Sequence, residues 1–186
     1  MGRLESWRRC DVTVQPQGTF GLPWRTDEPP VAPRPQIRIR RATPDDWPTI
    51  VEYNSCLVQE TEHKTLHRER LEQGVKAILG NPALGSYYVA VDGEELVGQI
   101  MTTYEWSDWR NGMIWWIQSV YIQPSHRRRG VFRSLYQHVA DLARRDPGVV
   151  GLRLYVEQNN APAQSAYNSL GMRPAGYLVL EQMFVE

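Results

Sequence analysis

The sequence predicts an α/β fold, a central mixed and mostly antiparallel sheet flanked by helices, on three observations. Apolar residues alternate at period two in some stretches and recur every three or four in others, so strands and helices share one chain. Asp92-Gly93 and Asn111-Gly112 stand between apolar runs, as the dipeptides that close antiparallel hairpins do. Farther on, the run from Ile114 to Ile122 leads through a helical stripe to a second strand-like run, Leu152 to Val156. A strand, helix, strand succession of that kind makes a parallel pair.

Taken in order, the chain divides at residue 37. Residues 1–36 hold six of the thirteen prolines and show no regular period, which reads as an extension that is extended or disordered, or else loosely packed on the domain with Trp7, Phe20 and Trp24 as its anchors. Residues 37–186 form the domain. Ile37-Arg38-Ile39-Arg40 alternates as a short strand. Thr43-Pro44-Asp45-Asp46 combines a capping residue, a proline at the first helical position and acids in the first turn, so a helix runs from there to about Leu57. A second, polar helix is expected near Leu66 to Leu79, stopped by Gly80-Asn81-Pro82. Strands follow at Tyr87 to Val91, Leu96 to Trp106 and Ile114 to Ile122, the last apolar enough to be covered on both faces. Val131, Leu135, Val139 and Leu142 are spaced four, four and three, an amphipathic helix. The Leu152 strand, a helix from Asn160 to the stop at Gly171, and a last strand near Tyr177 to Phe184 complete the order.

Chemistry concentrates between the Ile114–Ile122 strand and the helix after it. Arg127-Arg128-Arg129-Gly130 occupies that turn. A helix N-terminus carries unpaired N–H groups and partial positive charge, so cations gather there to advantage only when an anion joins them. Gly130 lets the backbone approach such a ligand without a Cβ in the way. On these residues alone the turn is either a phosphate site or a solvated basic loop.

The spacing Arg127-x-x-Gly130-x-Phe132 resembles the acyl-CoA pyrophosphate loop of the GNAT superfamily of N-acetyltransferases, with Phe132 where a small residue is usual. Downstream, Asn160-x-x-Ala163-x-x-x-Tyr167-x-x-x-Gly171 is similar to the superfamily's second CoA-contacting segment, and the resemblance extends over about Ile37 to Glu186. It implies the acyl-CoA N-acyltransferase fold and acetyl-CoA as co-substrate, with no metal. It also implies that the backbone of Val120, Tyr121 and Ile122 pairs with the pantetheine arm. The N–H groups of Arg128, Arg129, Gly130, Val131 and Phe132, with the charge of Arg127, Arg128 and Arg129, would hold the pyrophosphate, and Asn160 would contact CoA as well as cap its helix. Tyr167 becomes the candidate general acid, since a phenol near pKa 10 is protonated at neutral pH and can donate to a thiolate; the alternative is that it packs its helix on the sheet. Glu105 is the candidate base or a solvated carboxylate, Glu60 and Glu62 flank the expected acceptor pocket, and Gln118 stands where some relatives carry a carboxylate.

Composition narrows the partners. A net charge of zero and a pI near 6.9 provide no global field for nucleic acid or anionic membrane. No apolar run reaches the ~20 residues of a membrane helix, and no secretory leader is visible near Met1. Two cysteines, Cys10 and Cys56, suit a reducing compartment, so a cytoplasmic monomer or homodimer is expected. Tyr104, Trp106, Trp109 and Trp116 crowd one hairpin and either pack it on the sheet or line a site for a flat or cationic acceptor. His63 and His67 lie four apart with no third metal ligand following. The expected partner is an amine, acetylated by direct attack; the rival is a catalytically silent acyl-CoA-binding sensor of the same fold.

Overall fold

A computed structural model describes residues 37–184; the 1–36 extension lies outside the described residues. The elements are β1 (Arg38–Arg41), α1 (Trp47–Glu62), α2 (Arg68–Gly80), β2 (Ser86–Asp92), β3 (Glu95–Ser107), β4 (Gly112–Ile122), α3 (Val131–Arg145), β5 (Val149–Leu154) and α4 (Ala161–Ser169). They form one sheet in the order β1-β2-β3-β4-β5, antiparallel throughout except for the parallel pair β4 and β5. The hairpin residues take the expected conformations, with positive φ at Gly93 and Asn111.

The two faces of the sheet are separated by the strand period of two. In β2, Tyr87 packs with Ile50, Val51, Val75 and Met101 beneath α1 and α2. Its neighbour Tyr88 packs on the other side with Leu135, Val139 and Ala140 of α3. The stripe read from the sequence is the buried face of α3, joined by Tyr136, Ala140 and Ala143. At the start of α1, Asp46 accepts from the Thr43 N–H and hydroxyl at 2.7 and 3.1 Å and from both Arg40 terminal nitrogens at 2.7 and 2.9 Å. This ties β1 to the helix and holds the Asp46 carboxyl below the usual carboxylate range, the Arg40 contact being the main cause.

Two expectations change. First, α1 continues to Glu62, more than a turn past Leu57, which brings Glu60 and Glu62 onto the helix. Second, residues 177–184 are not a strand: they carry no regular structure, and Tyr177, Leu178, Leu180 and Phe184 are exposed. Alternation alone does not make a strand; the backbone needs a ladder partner, and no described strand pairs with this segment.

Two irregularities prepare the site. The β4–β5 ladder ends at Ile117 opposite Leu154, so the strands part and β4 from Gln118 to Ile122 is bare on that side. Across the β3–β4 ladder, Gln99 faces Tyr121 and Met101 faces Gln118, so Ile100 alone opposes both Ser119 and Val120. That is a β-bulge, and Ser119 enters the left-handed region, φ 47°, to make it.

Candidate active site

The N-terminus of α3 has the form of an anion cradle. Gly130 precedes the helix at φ 84° with no side-chain cap, and the first helical bond closes only at the Ser134 N–H, which donates to the Gly130 carbonyl at 3.0 Å. The N–H groups of Val131, Phe132 and Arg133 therefore have no helical acceptor. Arg128 is also left-handed, φ 60°, and alternating turned residues of this kind gather N–H groups into a concavity that suits a phosphate. A Cβ at Gly130 would meet nothing within 4 Å, so the space over the cradle is open.

The arginines divide their work. Arg127 Nε donates to the Ile122 carbonyl at 2.9 Å, and its terminal nitrogen pairs with Glu60 at 2.7 Å, so it clips the loop to the end of α1. Arg129 lies 3.9 Å from Asp92. Arg128 has no ion pair or hydrogen-bond partner among the described residues, and it lines the cavity above the cradle. His126, buried, fixes the same loop: one ring nitrogen lies 3.2 Å from Asp92 and the other 2.9 Å from the Ser125 hydroxyl.

Three cavities run in series across the parted strands. The first, about 590 Å³, lies over the cradle. The second, about 640 Å³, occupies the gap between β4 and β5 and is lined by Ser119, Val120 and Tyr167. The third, about 730 Å³, lies between α1, α2 and the sheet. Leu57 lines all three, and Asn160 lines the first two. Cradle, bulge and helix-walled cavity thus form one groove.

Behind the bulge is a buried polar chain. Gln99 Nε2 donates to Asn54 Oδ1 at 2.7 Å and to the Ser119 carbonyl at 3.2 Å, and Asn54 Nδ2 donates to the Tyr87 hydroxyl at 3.1 Å. Burial pushes the Tyr87 phenol up. Sequence reading missed these residues. The signal was there, a glutamine in the apolar run Leu96 to Met101 and an asparagine on the apolar face of α1, though neither announces its partner.

Most of the sequence-derived site residues come together. Val120, Tyr121, Ile122, Arg127, Arg128, Gly130, Val131, Phe132 and Asn160 all line the first cavity. Asn160 also caps α4, accepting from the Ala163 N–H at 3.1 Å. Tyr167, on α4, has no hydrogen-bond partner for its hydroxyl among the described residues, and burial raises its pKa. Phe132 turns its ring onto Tyr167, centroids 5.4 Å apart, rather than over the cradle.

Glu105 is not brought to this groove. It pairs in register with Ile114, five residues along β4 from Ser119, about 16 Å at the usual strand rise. Its carboxylate accepts from Arg153 at 2.8 Å and from the Trp116 ring nitrogen at 2.5 Å, so it is a structural anion. Glu60 serves Arg127 and Tyr121, Glu62 pairs with Lys64 at 2.9 Å, and Gln118 donates to Thr103 at 2.7 Å. The hairpin aromatics separate: Trp106 and Trp109 are exposed, while Trp116 packs on Tyr155 and Tyr104 meets Trp115 edge to face. His67 caps α2, its ring nitrogen accepting from the Arg70 N–H. Among the described residues no group of three His, Cys, Asp or Glu could hold a metal, and no helix is long and apolar enough to cross a membrane.

Comparison with known proteins agrees with this geometry. The model of the acetyltransferase (GNAT) family matches residues 42–172. Thialysine N-epsilon-acetyltransferase of Caenorhabditis elegans is 35% identical over 83 residues, 45% of this chain and 51% of that protein. Streptothricin acetyltransferase of Streptomyces lavendulae is 35% identical over 98 residues, 52% of this chain and 49% of that one. The chain thus spans about half the length of the curated relatives it matches. The crystal structure of a possible acetyltransferase from Clostridium difficile 630 superposes with a TM-score of 0.76 at 43% identity, covering 81% of this chain and 99% of that one. An α/β sheet with a bulged, parted β4, an α3 that opens on unpaired N–H groups and a match across residues 42–172 lead to one assignment: the chain belongs to the GNAT family of acetyltransferases.

Proposed function

We propose that this protein transfers the acetyl group of acetyl-CoA to the nitrogen of an amine. The observation that carries the reading is the continuous groove, which joins a phosphate cradle to a second cavity through the bulge at Ser119 and Val120. Acetyl-CoA, as co-substrate, supplies a thioester carbonyl open to nucleophiles. The cradle N–H groups and Arg128 bind its pyrophosphate, charge-assisted contacts being about twice as strong as neutral ones. The bare edge of β4 pairs with the pantetheine amides in the manner of an added strand. At the bulge, a backbone N–H freed from the β3 ladder polarises the carbonyl oxygen. The relatives named for thialysine and streptothricin acetylation support an amine as the second substrate.

The transfer then balances simply. The neutral amine's nitrogen forms a bond to the carbonyl carbon, the carbon–sulfur bond breaks, Tyr167 gives its proton to the departing thiolate, the amine loses one proton, and solvent returns one to the Tyr167 phenolate. Among the described residues no carboxylate lining the groove is unengaged: Glu60 and Glu62 are ion-paired, and Glu157 accepts from Asn159. Solvent water therefore takes the amine's proton. This same observation is what favours the rival, a silent acyl-CoA sensor.

Tyr167→Phe distinguishes the two. The ring and its contact with Phe132 persist while the proton donor is lost, so kcat is expected to fall about 10²- to 10⁴-fold with the acetyl-CoA Kd near wild type. Turnover at the wild-type rate in the variant would remove the acid role. No thiol release by the wild-type protein with any amine would leave the sensor.

A further inference from the structure

We infer that the acceptor is a primary amine on an uncharged, apolar body, an alkyl- or arylalkylamine, rather than a polycation or a free amino acid. The inference rests on the acetyl-transfer reading and concerns the third cavity. At about 730 Å³ that cavity is of the size that holds a small organic molecule. Its walls are aliphatic, from Leu57 and Val58 of α1, Leu71, Val75 and Ile78 of α2, and Met101 of β3. Val75 and Met101 are buried at its floor.

Charge is distributed against a cationic body. Among the described residues no carboxylate lines the cavity. A polyamine or an aminosugar would enter with its positive charges unanswered, and a desolvated charge without a partner is costly. Its buried polar groups lie toward the bulge, Asn54 and Tyr87 with Ser119 beside them, while Thr65, His67 and Arg70 line its exposed rim. One amine nitrogen can be received at the buried end, with aliphatic walls between it and the rim.

The cavity also prepares the nucleophile. Desolvation disfavours the charged form of an amine and lowers its pKa, so entry into an aliphatic cavity drives its extra proton into solvent. The neutral amine is the form that attacks. An apolar acceptor site thus removes the proton that no unengaged carboxylate is present to take.

Gly74 belongs to the same design. Leu71, Gly74, Val75 and Ile78 share one face of α2 over the cavity, and a Cβ built at Gly74 meets nothing within 4 Å. A glycine inside a helix is destabilising relative to alanine, and here the absent side chain keeps the cavity roomy.

Thiol release from acetyl-CoA is measured with phenethylamine and hexylamine against spermidine, lysine and an aminoglycoside, for wild type, Gly74→Ala and Gly74→Trp. The apolar amines are expected to give a kcat/KM at least tenfold above the charged ones. Their apparent KM should fall about tenfold per pH unit below the amine pKa, as the neutral fraction rises. Gly74→Trp is expected to raise their KM tenfold or more while the calorimetric acetyl-CoA Kd changes less than twofold, which also certifies its fold; Gly74→Ala, a smaller intrusion, should raise it by less. A preference for spermidine, lysine or the aminoglycoside, or an unchanged KM in Gly74→Trp, overturns the inference and leaves acetyl transfer standing. No release with any amine overturns both.

Discussion

Phe132 and Tyr167 meet edge to face, ring centroids 5.4 Å apart and planes at 82°. One residue belongs to the phosphate cradle and the other is the candidate acid, so the two motifs touch through side chains. Such an aromatic pair contributes about 0.5–1.5 kcal/mol beyond area burial. In Phe132→Ala the Tyr167 ring loses its stop, and kcat is expected to fall up to about tenfold. The acetyl-CoA Kd should change little, because the cradle uses the backbone N–H at 132. A weakened Kd with kcat intact would mean that the ring shapes the cradle instead.

The cradle's own charge is tested through Arg128 and Glu60. Arg128 has no partner among the described residues, so Arg128→Ala is expected to weaken acetyl-CoA binding about tenfold or more, and more steeply at low salt. Arg127 is already held by Glu60 at 2.7 Å. Glu60→Gln releases it, and an exposed pair of this kind is worth about 0–1 kcal/mol, so binding should tighten by up to about fivefold. Calorimetry on both variants decides; weaker binding in Glu60→Gln would show that the clip's hold on the loop outweighs its competition for the charge.

The fold was legible because its signals are local. The α3 stripe, the Asp92-Gly93 and Asn111-Gly112 turns and the Asn160 cap each specify their own few residues, and each is present. What could not be read depends on distant pairing. The bulge at Ser119 exists because Ile100 opposes two residues across the ladder, and Gln99 and Asn54 meet only through the folded sheet. Glu105 carried the right chemistry in the right strand, but register sets it beside Arg153 and away from the groove. The Tyr177–Phe184 segment has the alternation of a strand without a partner for its backbone, a property of the sheet edge and not of its own residues.

Asp46 makes stability depend on pH in acid. The Arg40 hydrogen bonds, aided by those from Thr43, hold its folded pKa below the value near 4 of an unfolded aspartate, so the native state binds the proton less readily. Its contribution is therefore complete above about pH 4 and is lost as pH falls through the folded value. Asp46→Asn is expected to cost about 1–3 kcal/mol at neutral pH in urea unfolding and to flatten the decline below pH 4. An equal acid decline in both proteins would assign that decline to other carboxylates.

The bulge itself is the last point of test. Gln99 is wholly buried, its Nε2 holds the Ser119 carbonyl and Asn54, and its Oε1 has no hydrogen-bond partner among the described residues. A buried amide with an unanswered oxygen is a poor choice for stability alone, since leaving an acceptor unmade costs more than the average bond returns. What it secures is Ser119 at φ 47°, a conformation unfavourable for a residue with a Cβ, and with it the direction of the N–H freed at the bulge. Gln99→Leu fills the space and removes the tether. Deleting a whole oxyanion donor costs about 10²–10³ in kcat, and a misdirected one costs less, so a fall of roughly 10- to 100-fold is expected. The acetyl-CoA Kd should stay within about twofold, because the cradle on α3 is untouched. A purely structural role predicts a different pattern, a lowered Tm with kcat per folded molecule unchanged, and that result would remove Gln99 from the catalytic account.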